Sequence, residues 1–378
     1  MRLCFLATGE SVHSHRWIRF FSEKGHDIYW ISLAPRDGHA PVCAKFYDVS
    51  SELGKYASLG AAALKIRRII REIHPEIVHA HYAGSYGLLG AISGFQPLVL
   101  TAWGSDILFA GRSRLKGPLV RWALTKATLI TCDAHHMIGS MQALGADVKK
   151  IHLVFFGVEV DRFCPGPGDV SIRAGWGAKG SPVVISLRNL EPVYSIETLI
   201  QAVPSVIPEV PEVRFVIAGN GSQELALKEL TRLLGLEASV SFIGRYSNYD
   251  LPNILRSADV YVSTSLSDAG LASSTAEAMA CGLPVVITDT GENRRWVDDE
   301  KSGFVVAAKD PQALAEKIIV LLKDSAKRAS MGQAAREVIV QRNNYEREME
   351  RMEGMYRDLL VGRRGKSAFE CASAVLDR

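Results

Sequence analysis

The sequence predicts an α/β protein built from two Rossmann-like domains with parallel sheets, and three observations carry that expectation. At 378 residues the chain is well over twice the ~150 residues of a typical domain. Short β-branched runs alternate with amphipathic stretches along nearly its whole length, the signature of βαβ units. The alternation is broken once, at Cys164–Asp169 (CPGPGD), where two prolines and two glycines can continue neither a strand nor a helix, and then it restarts.

Taken in order, the first domain (1–165) is expected to hold strands at Leu3–Ala7, Ile28–Leu33, Ile77–Ala80, Leu98–Thr101, Thr128–Cys132 and Ile151–Phe155. A helix is expected over Leu59–Ile73, where Leu64, Ile66, Ile69, Ile70 and Ile73 recur near helical spacing beside Arg67, Arg68 and Arg71. The second domain (166–344) repeats the pattern with Val183–Leu187, Arg214–Ala218, Val240–Ile243, Val260–Ser263, Val285–Thr288 and Gly303–Val306. After Asn344 a charge-dense helix over 345–362 is expected on the surface or packed back on the first domain, and 363–378 is expected to be a flexible tail.

Composition narrows the class. An apolar share of 47% against 22% charged is that of soluble globular proteins, and apolar runs of only about five to eight residues cannot span a bilayer. LCFLATG is followed at once by polar GESVHSHR, so no signal peptide is expected. The six cysteines are scattered without a C-x-x-C pair, which argues against a zinc ribbon and a disulfide framework and fits the reducing cytoplasm. The net charge of +3 is uneven, with 19 Lys and Arg against 13 Asp and Glu in residues 1–165 and 25 against 28 in the remainder. No nucleic-acid partner is expected.

Ligands of open α/β sheets bind beyond the carboxyl ends of the strands, and two such sheets facing each other would make a cleft. Thr8-Gly9-Glu10 after the first strand is either a loop for close approach of a ligand or a turn. Gly219-Asn220-Gly221 fails as G-x-G-x-x-G because Glu224 holds the sixth position, which argues against a nicotinamide-dependent dehydrogenase. The informative stretch is Ser263–Ile287 (STSLSDAGLASSTAEAMACGLPVVI). Here a strand gives way to a polar glycine loop and then to a helix whose first amides are flanked by Ser273, Ser274 and Thr275. Backbone N–H groups and the helix dipole can hold a phosphate there without a lysine. Glu277, one turn further in, is placed to accept hydrogen bonds from sugar hydroxyls, unless it is merely a solvated helix residue and Ser273 a plain N-cap. His79 and His81 end a strand at the expected site rim, whereas His135 and His136 read as capping or surface residues. No H-x-x-x-H or D-x-D pattern appears, so neither a metal nor another cofactor is expected. Gly111–Ile130 mixes Arg112, Arg114, Lys116, Arg121 and Lys126 with Leu119, Val120, Trp122 and Leu124; it can lie on anionic lipid or be a helix with one core face.

STAEAMACGLPVV resembles the donor-site motif of the retaining GT-B glycosyltransferases of glycosyltransferase family 4, which reads roughly E-G-F-G-x-x-x-x-E-A-M-A-x-G-x-P-V-V. The resemblance extends to HAHYAGSYGLLGA, TAWGSD, GVEVDRFCP, SLRNLEP, FIGR, SADVYVSTS and DPQALAEKIIVLLKD, in that order, over most of residues 70 to 345. It implies the GT-B architecture and transfer of a sugar, with retention, from a nucleotide-diphosphate sugar to a hydroxyl of a glycan or lipid-linked acceptor. Arg188 would bind the diphosphate, Glu277 the donor ribose, and the amides around Ser273 and Ser274 the phosphate nearest the sugar. Gly9, Gly219 and Gly270 would line the donor site, the backbone at Arg245 would read the base, and Asp106 of AWGSD would join the catalytic set. Three departures stand out. The first glutamate of the motif is Ala269, although a one-residue shift of the loop would let Asp268 offer its carboxylate to the transferred sugar. Val193, Tyr194 and Ser195 stand where the family has a lysine, and Trp103 replaces a histidine. A non-catalytic nucleotide-sugar-binding relative and an epimerase of the same fold are the alternatives.

Overall fold

The computed structural model describes residues 1–36, 44–50, 55–108, 113–114, 116–268 and 270–376. The chain forms two compact units, Met1–Phe156 with Glu346–Arg378, and Gly157–Tyr345. Residues 157–165, expected in the first domain, lie in the second unit. Val158 bridges to Asn344, and Val158 and Phe163 pack into the core around Val183 and Ile185, so the chain has changed units before it reaches the proline-glycine stretch.

The first unit holds a seven-stranded sheet: β1 (Arg2–Leu6), β2 (Asp27–Ser32), β3 (Lys45–Asp48), β4 (Ile77–His81), β5 (Leu98–Thr101), β6 (Leu129–Cys132) and β7 (Ile151–Leu153), in the order β3-β2-β1-β4-β5-β6-β7. All its pairings are parallel, and Phe5 of β1 stands in register with Trp30 and His79. Strands β4, β5 and β6 are buried at every position, as helices covering both faces of a parallel sheet require. The helix Lys55–Ile73 turns Ala62, Ala63, Ile66, Ile69, Ile70 and Ile73 into the core. Leu64, assigned by its spacing to that face, points outward and is 73% exposed; it lies off the stripe that Ile66, Ile70 and Ile73 define.

The second unit holds β8 (Val183–Ser186), β9 (Arg214–Ala218), β10 (Val240–Gly244), β11 (Val260–Ser263), β12 (Val285–Thr288) and β13 (Gly303–Val306), ordered β10-β9-β8-β11-β12-β13 and all parallel. Alternate residues of β8 feed separate cores on the two faces, Val183 and Ile185 on one and Val184 on the other. In both sheets the order reverses beside the first strand, at β1/β4 and β8/β11, which is where open α/β sheets place their ligands.

The last helix, Tyr345–Leu376, belongs to the first unit from Glu346 onward. Met349, Met352 and Tyr356 form its fully buried stripe, while Glu353 meets His26 at 2.8 Å and Glu348 accepts the Phe155 amide at 3.0 Å. Helix continues through most of the 363–378 stretch expected to be a flexible tail, a segment that contains no proline to stop it.

Candidate active site

Four neighbouring strands of the second sheet deliver the expected donor residues to one edge. Arg245 follows β10, Gly219 follows β9, Arg188 lies two residues past β8, and Asp268 follows β11. Arg188 and Asp268, 80 residues apart in sequence, meet at the β8/β11 switch point with Nη2 to Oδ1 at 2.5 Å, their side chains only 10% and 9% exposed. The guanidinium carbon lies 4.4 Å from the centre of the Tyr194 ring, a cation–π stack. Tyr194 thus packs against the arginine from the stretch Val193–Ser195, where a cation is expected. Burial pushes the Asp268 carboxyl upward in pKa, with Arg188 and the Ser265 hydroxyl acting against that shift. Arg188 Nε and Asp268 Oδ2 are buried without hydrogen-bond partners among the described residues.

The loops that hold this pair are tied together. Thr264 donates its hydroxyl to the Tyr194 carbonyl at 2.9 Å, and the Leu266 amide donates to the Val193 carbonyl at 2.8 Å. Gly219 has φ +129°, and a Cβ there would stand 2.7 Å from the Arg188 carbonyl oxygen; at Gly221 it would stand 2.3 Å from that of Leu190. The Gly-Asn-Gly loop therefore braces the arginine loop, and only glycine permits the approach. Asn220 extends the brace by accepting from Arg245 Nε at 2.9 Å.

The helix Ser273–Ala280 begins beside this pair in sequence, with Ala272 rather than Ser273 at the cap position and no side chain capping the first amides. Ser273 is exposed, Gly270 is buried, and the Ser274 hydroxyl lies 2.8 Å from the hydroxyl of the fully buried Tyr261. Glu277 is half-buried, and its charge joins burial and Tyr261 in raising the Tyr246 phenol. Tyr246 and Tyr261 were not singled out from the sequence; nothing in a lone tyrosine after a strand marks it. Ala269 lies outside the described residues.

In the first unit, Asp106 is 5% exposed, its Oδ2 accepting from the Ala83 amide at 2.6 Å and its Oδ1 from the Trp103 amide at 3.0 Å. It joins the loops after β4 and β5, and burial raises its pKa against the pull of those amides. Gly9 donates its amide to the Ser32 hydroxyl at 2.9 Å, and a Cβ on it would stand 2.3 Å from the Pro35 carbonyl oxygen, so the fold's own packing demands glycine there. His79 is a satisfied core residue, with Nδ1 at 2.5 Å from the Tyr356 hydroxyl and Nε2 at 2.7 Å from Thr101 Oγ1. His81 is buried among Trp17, Phe5 and Trp103 with neither ring nitrogen partnered among the described residues. His135 and His136 open the helix His135–Ala143, half-buried and exposed respectively.

Of the basic segment Gly111–Ile130, residues 111, 112 and 115 lie outside the described residues, Lys116–Lys126 form a helix, and Leu129 and Ile130 begin β6. Leu119 (47%) and Trp122 (39%) are exposed on it among exposed Lys116, Arg121 and Lys126, beside a groove of about 520 Å³ lined by Arg114, Arg121 and Trp122. Among the described residues no helix is long and apolar enough to cross a membrane, and no His, Cys, Asp or Glu cluster is arranged to hold a metal ion.

Two doubly wound sheets, one carrying a buried arginine at its switch point, define an α/β protein of the class that binds ligands beyond the carboxyl ends of its strands. Comparison with known proteins specifies the class. The model of the family "Glycosyl transferase 4-like" matches residues 2–134 and that of "Glycosyl transferases group 1" residues 171–338. The chain is 30% identical over 289 residues to the GDP-mannose-dependent alpha-(1-6)-phosphatidylinositol monomannoside mannosyltransferase of Mycolicibacterium smegmatis, covering 72% of this chain and 74% of that protein. It is 23% identical over 352 residues to the N-acetyl-alpha-D-glucosaminyl L-malate synthase of Bacillus anthracis, covering 90% and 91%. Similar solved structures include Anabaena HepE in complex with UDP (TM-score 0.79, 21% identity, 95% and 100% covered) and the sucrose-phosphate synthase of Thermosynechococcus elongatus (0.81, 17%, 95% and 99%). The chain belongs to the group 1 glycosyl transferases. It is a glycosyltransferase of the GT-B architecture.

Proposed function

We propose that this enzyme transfers a sugar, with retention of anomeric configuration, from a nucleoside diphosphate sugar to a hydroxyl of a glycan or lipid-linked acceptor. The observation that carries the reading is the placement of Arg188 at the β8/β11 switch point, braced by Gly219 and stacked on Tyr194. In this reading Arg188 and the first amides of Ser273–Ala280 take the diphosphate, Glu277 the ribose hydroxyls, and the backbone at Arg245 the base. Gly157–Tyr345 is then the donor unit and Met1–Phe156 with Glu346–Arg378 the acceptor unit. The bond between the sugar's anomeric carbon and the diphosphate oxygen breaks with its electron pair left on that oxygen. The acceptor oxygen bonds to the same carbon and gives up its proton to the departing phosphate. Preorganised donors facing the charge that develops on the leaving group lower the barrier. Asp106, with one backbone amide on each carboxylate oxygen, ties together the loops after β4 and β5.

The acceptor preference for lipid rests on the first unit's excess of basic residues and on the exposed Leu119 and Trp122 beside Lys116 and Arg121, a face suited to an anionic membrane surface on the cytoplasmic side. The relatives named as phosphatidylinositol mannosyltransferases agree with such a substrate class. A thermal-shift panel of nucleoside diphosphate sugars tests the donor reading, because a ligand at about 100 times its Kd adds about 2.7 kcal/mol to apparent stability. One nucleotide series is expected to raise the melting point; no shift with any member would refute the reading.

A further inference from the structure

The ion pair at the switch point poses a question that donor binding alone does not answer. An arginine meant to receive a diphosphate has a carboxylate of its own chain at 2.5 Å, in a setting nine-tenths shielded from water. Tyr194, in place of a second cation, adds a π face and no charge. The side-chain charges of Arg188 and Asp268 therefore cancel locally, and an incoming anion meets Asp268 as a like charge, where repulsion is weakly screened.

The pair is also incomplete. It is monodentate, with Arg188 Nε and Asp268 Oδ2 each buried and unpartnered among the described residues, and a half-satisfied buried pair is poised to exchange partners. Exchange is constrained on one side. Arg188 is held by the Tyr194 ring and by its carbonyl packed against Gly219, so a ligand must compete with Asp268 rather than draw the arginine away.

Competition of this kind depends on ligand charge. In a nucleoside diphosphate sugar the second phosphate is esterified; after transfer it is free and, above its second pKa near 6, carries an extra negative charge. We propose that Asp268 is a built-in counterion of Arg188 that sets the discrimination between the sugar-bearing diphosphate and the free nucleoside diphosphate left by transfer, weakening retention of the product. This inference rests on the donor-site reading above.

The test is calorimetry and product-inhibition kinetics with UDP, GDP and ADP and their sugar conjugates, on the wild type, Asp268→Asn and Tyr194→Lys. Asp268→Asn removes charge while keeping shape and is expected to bind the free nucleoside diphosphate at least about fivefold more tightly, with a smaller gain for the sugar conjugate. Tyr194→Lys supplies the missing cation without touching the aspartate and is expected to shift the same ratio in the same direction. Unchanged or weaker affinity of both variants for the free diphosphate would overturn the proposal while leaving the donor site standing. If the wild type binds none of the three nucleotides in either form, the donor-site reading falls and takes the proposal with it.

Discussion

Arg188 concentrates the chemistry of the site in one side chain. With Tyr194 near the place of the expected lysine, Arg188 and the start of Ser273–Ala280 are left to compensate the leaving group. A planar guanidinium can bind two phosphate oxygens and lie flat on an aromatic ring, whereas an ammonium offers a point charge, so Arg188→Lys is expected to lose much of the activity despite keeping the charge. Arg188→Ala is expected to reduce kcat by ~10²-fold or more, the scale seen when one oxyanion donor is removed. Steady-state kinetics with the donor identified by thermal shift decides it, and wild-type turnover in Arg188→Ala would move the diphosphate elsewhere. Glu277 belongs to the same scale. Charge-assisted bonds to ribose hydroxyls predict that Glu277→Ala weakens nucleotide binding by roughly 1.5–3 kcal/mol with an unchanged circular dichroism spectrum. Equal calorimetric affinities would make it an ordinary helix residue.

At the level of elements, the strands that were legible are the short apolar runs, most of them buried along their whole length and two, β7 and β10, half-buried at the sheet edges. The missed strand, β3 (Lys45–Asp48, KFYD), sits at the sheet edge, where half-exposed and charged positions leave no apolar run to read. Arg188, Asp268 and the helix at Ser273 were each visible in sequence, but the 2.5 Å pair was not. Contact across 80 residues depends on β8 and β11 being neighbours, which is a property of strand order rather than of local pattern. The Gly-Asn-Gly loop was legible as glycine and not as a brace for Arg188, for the same reason. The helix Lys116–Lys126 carries a prediction of its own. Its exposed Leu119 and Trp122 among three basic residues are expected to give binding to anionic but not neutral vesicles, about 1 kcal/mol per basic residue near the surface, fading with salt. Equal co-sedimentation with both vesicle types at low salt would leave this face simply solvated.

Across the whole molecule, the buried imidazoles make acid stability a property of the first unit. Burial drives His81 down to about 3 and His13 to about 4, and holds His79 well below the ordinary 6.5. Between pH 6.5 and those values the unfolded chain binds protons that the folded chain refuses, so stability rises with pH across this window and is lost as pH falls through it. Asp106 and Glu348, in the same unit, are shifted upward by burial and work in the opposite sense above ordinary carboxylate values. Below pH 6.5 each of the three histidines contributes a slope of up to about 1.4 kcal/mol per pH unit. Four of the six tryptophans, Trp17, Trp30, Trp103 and Trp122, report on this unit, while Trp176 and Trp296 lie in the other. Urea unfolding followed by tryptophan fluorescence is expected to show the midpoint falling between pH 7 and pH 5.5. His81→Phe keeps an aromatic ring against Trp17 and Phe5 and removes one titrating group, so it is expected to flatten that pH dependence by the share of one histidine. A midpoint that stays constant from pH 7 to 5.5 in the wild type would mean that the imidazoles are hydrated and charged, and that the aromatic cage around His81 opens far more readily than its burial implies.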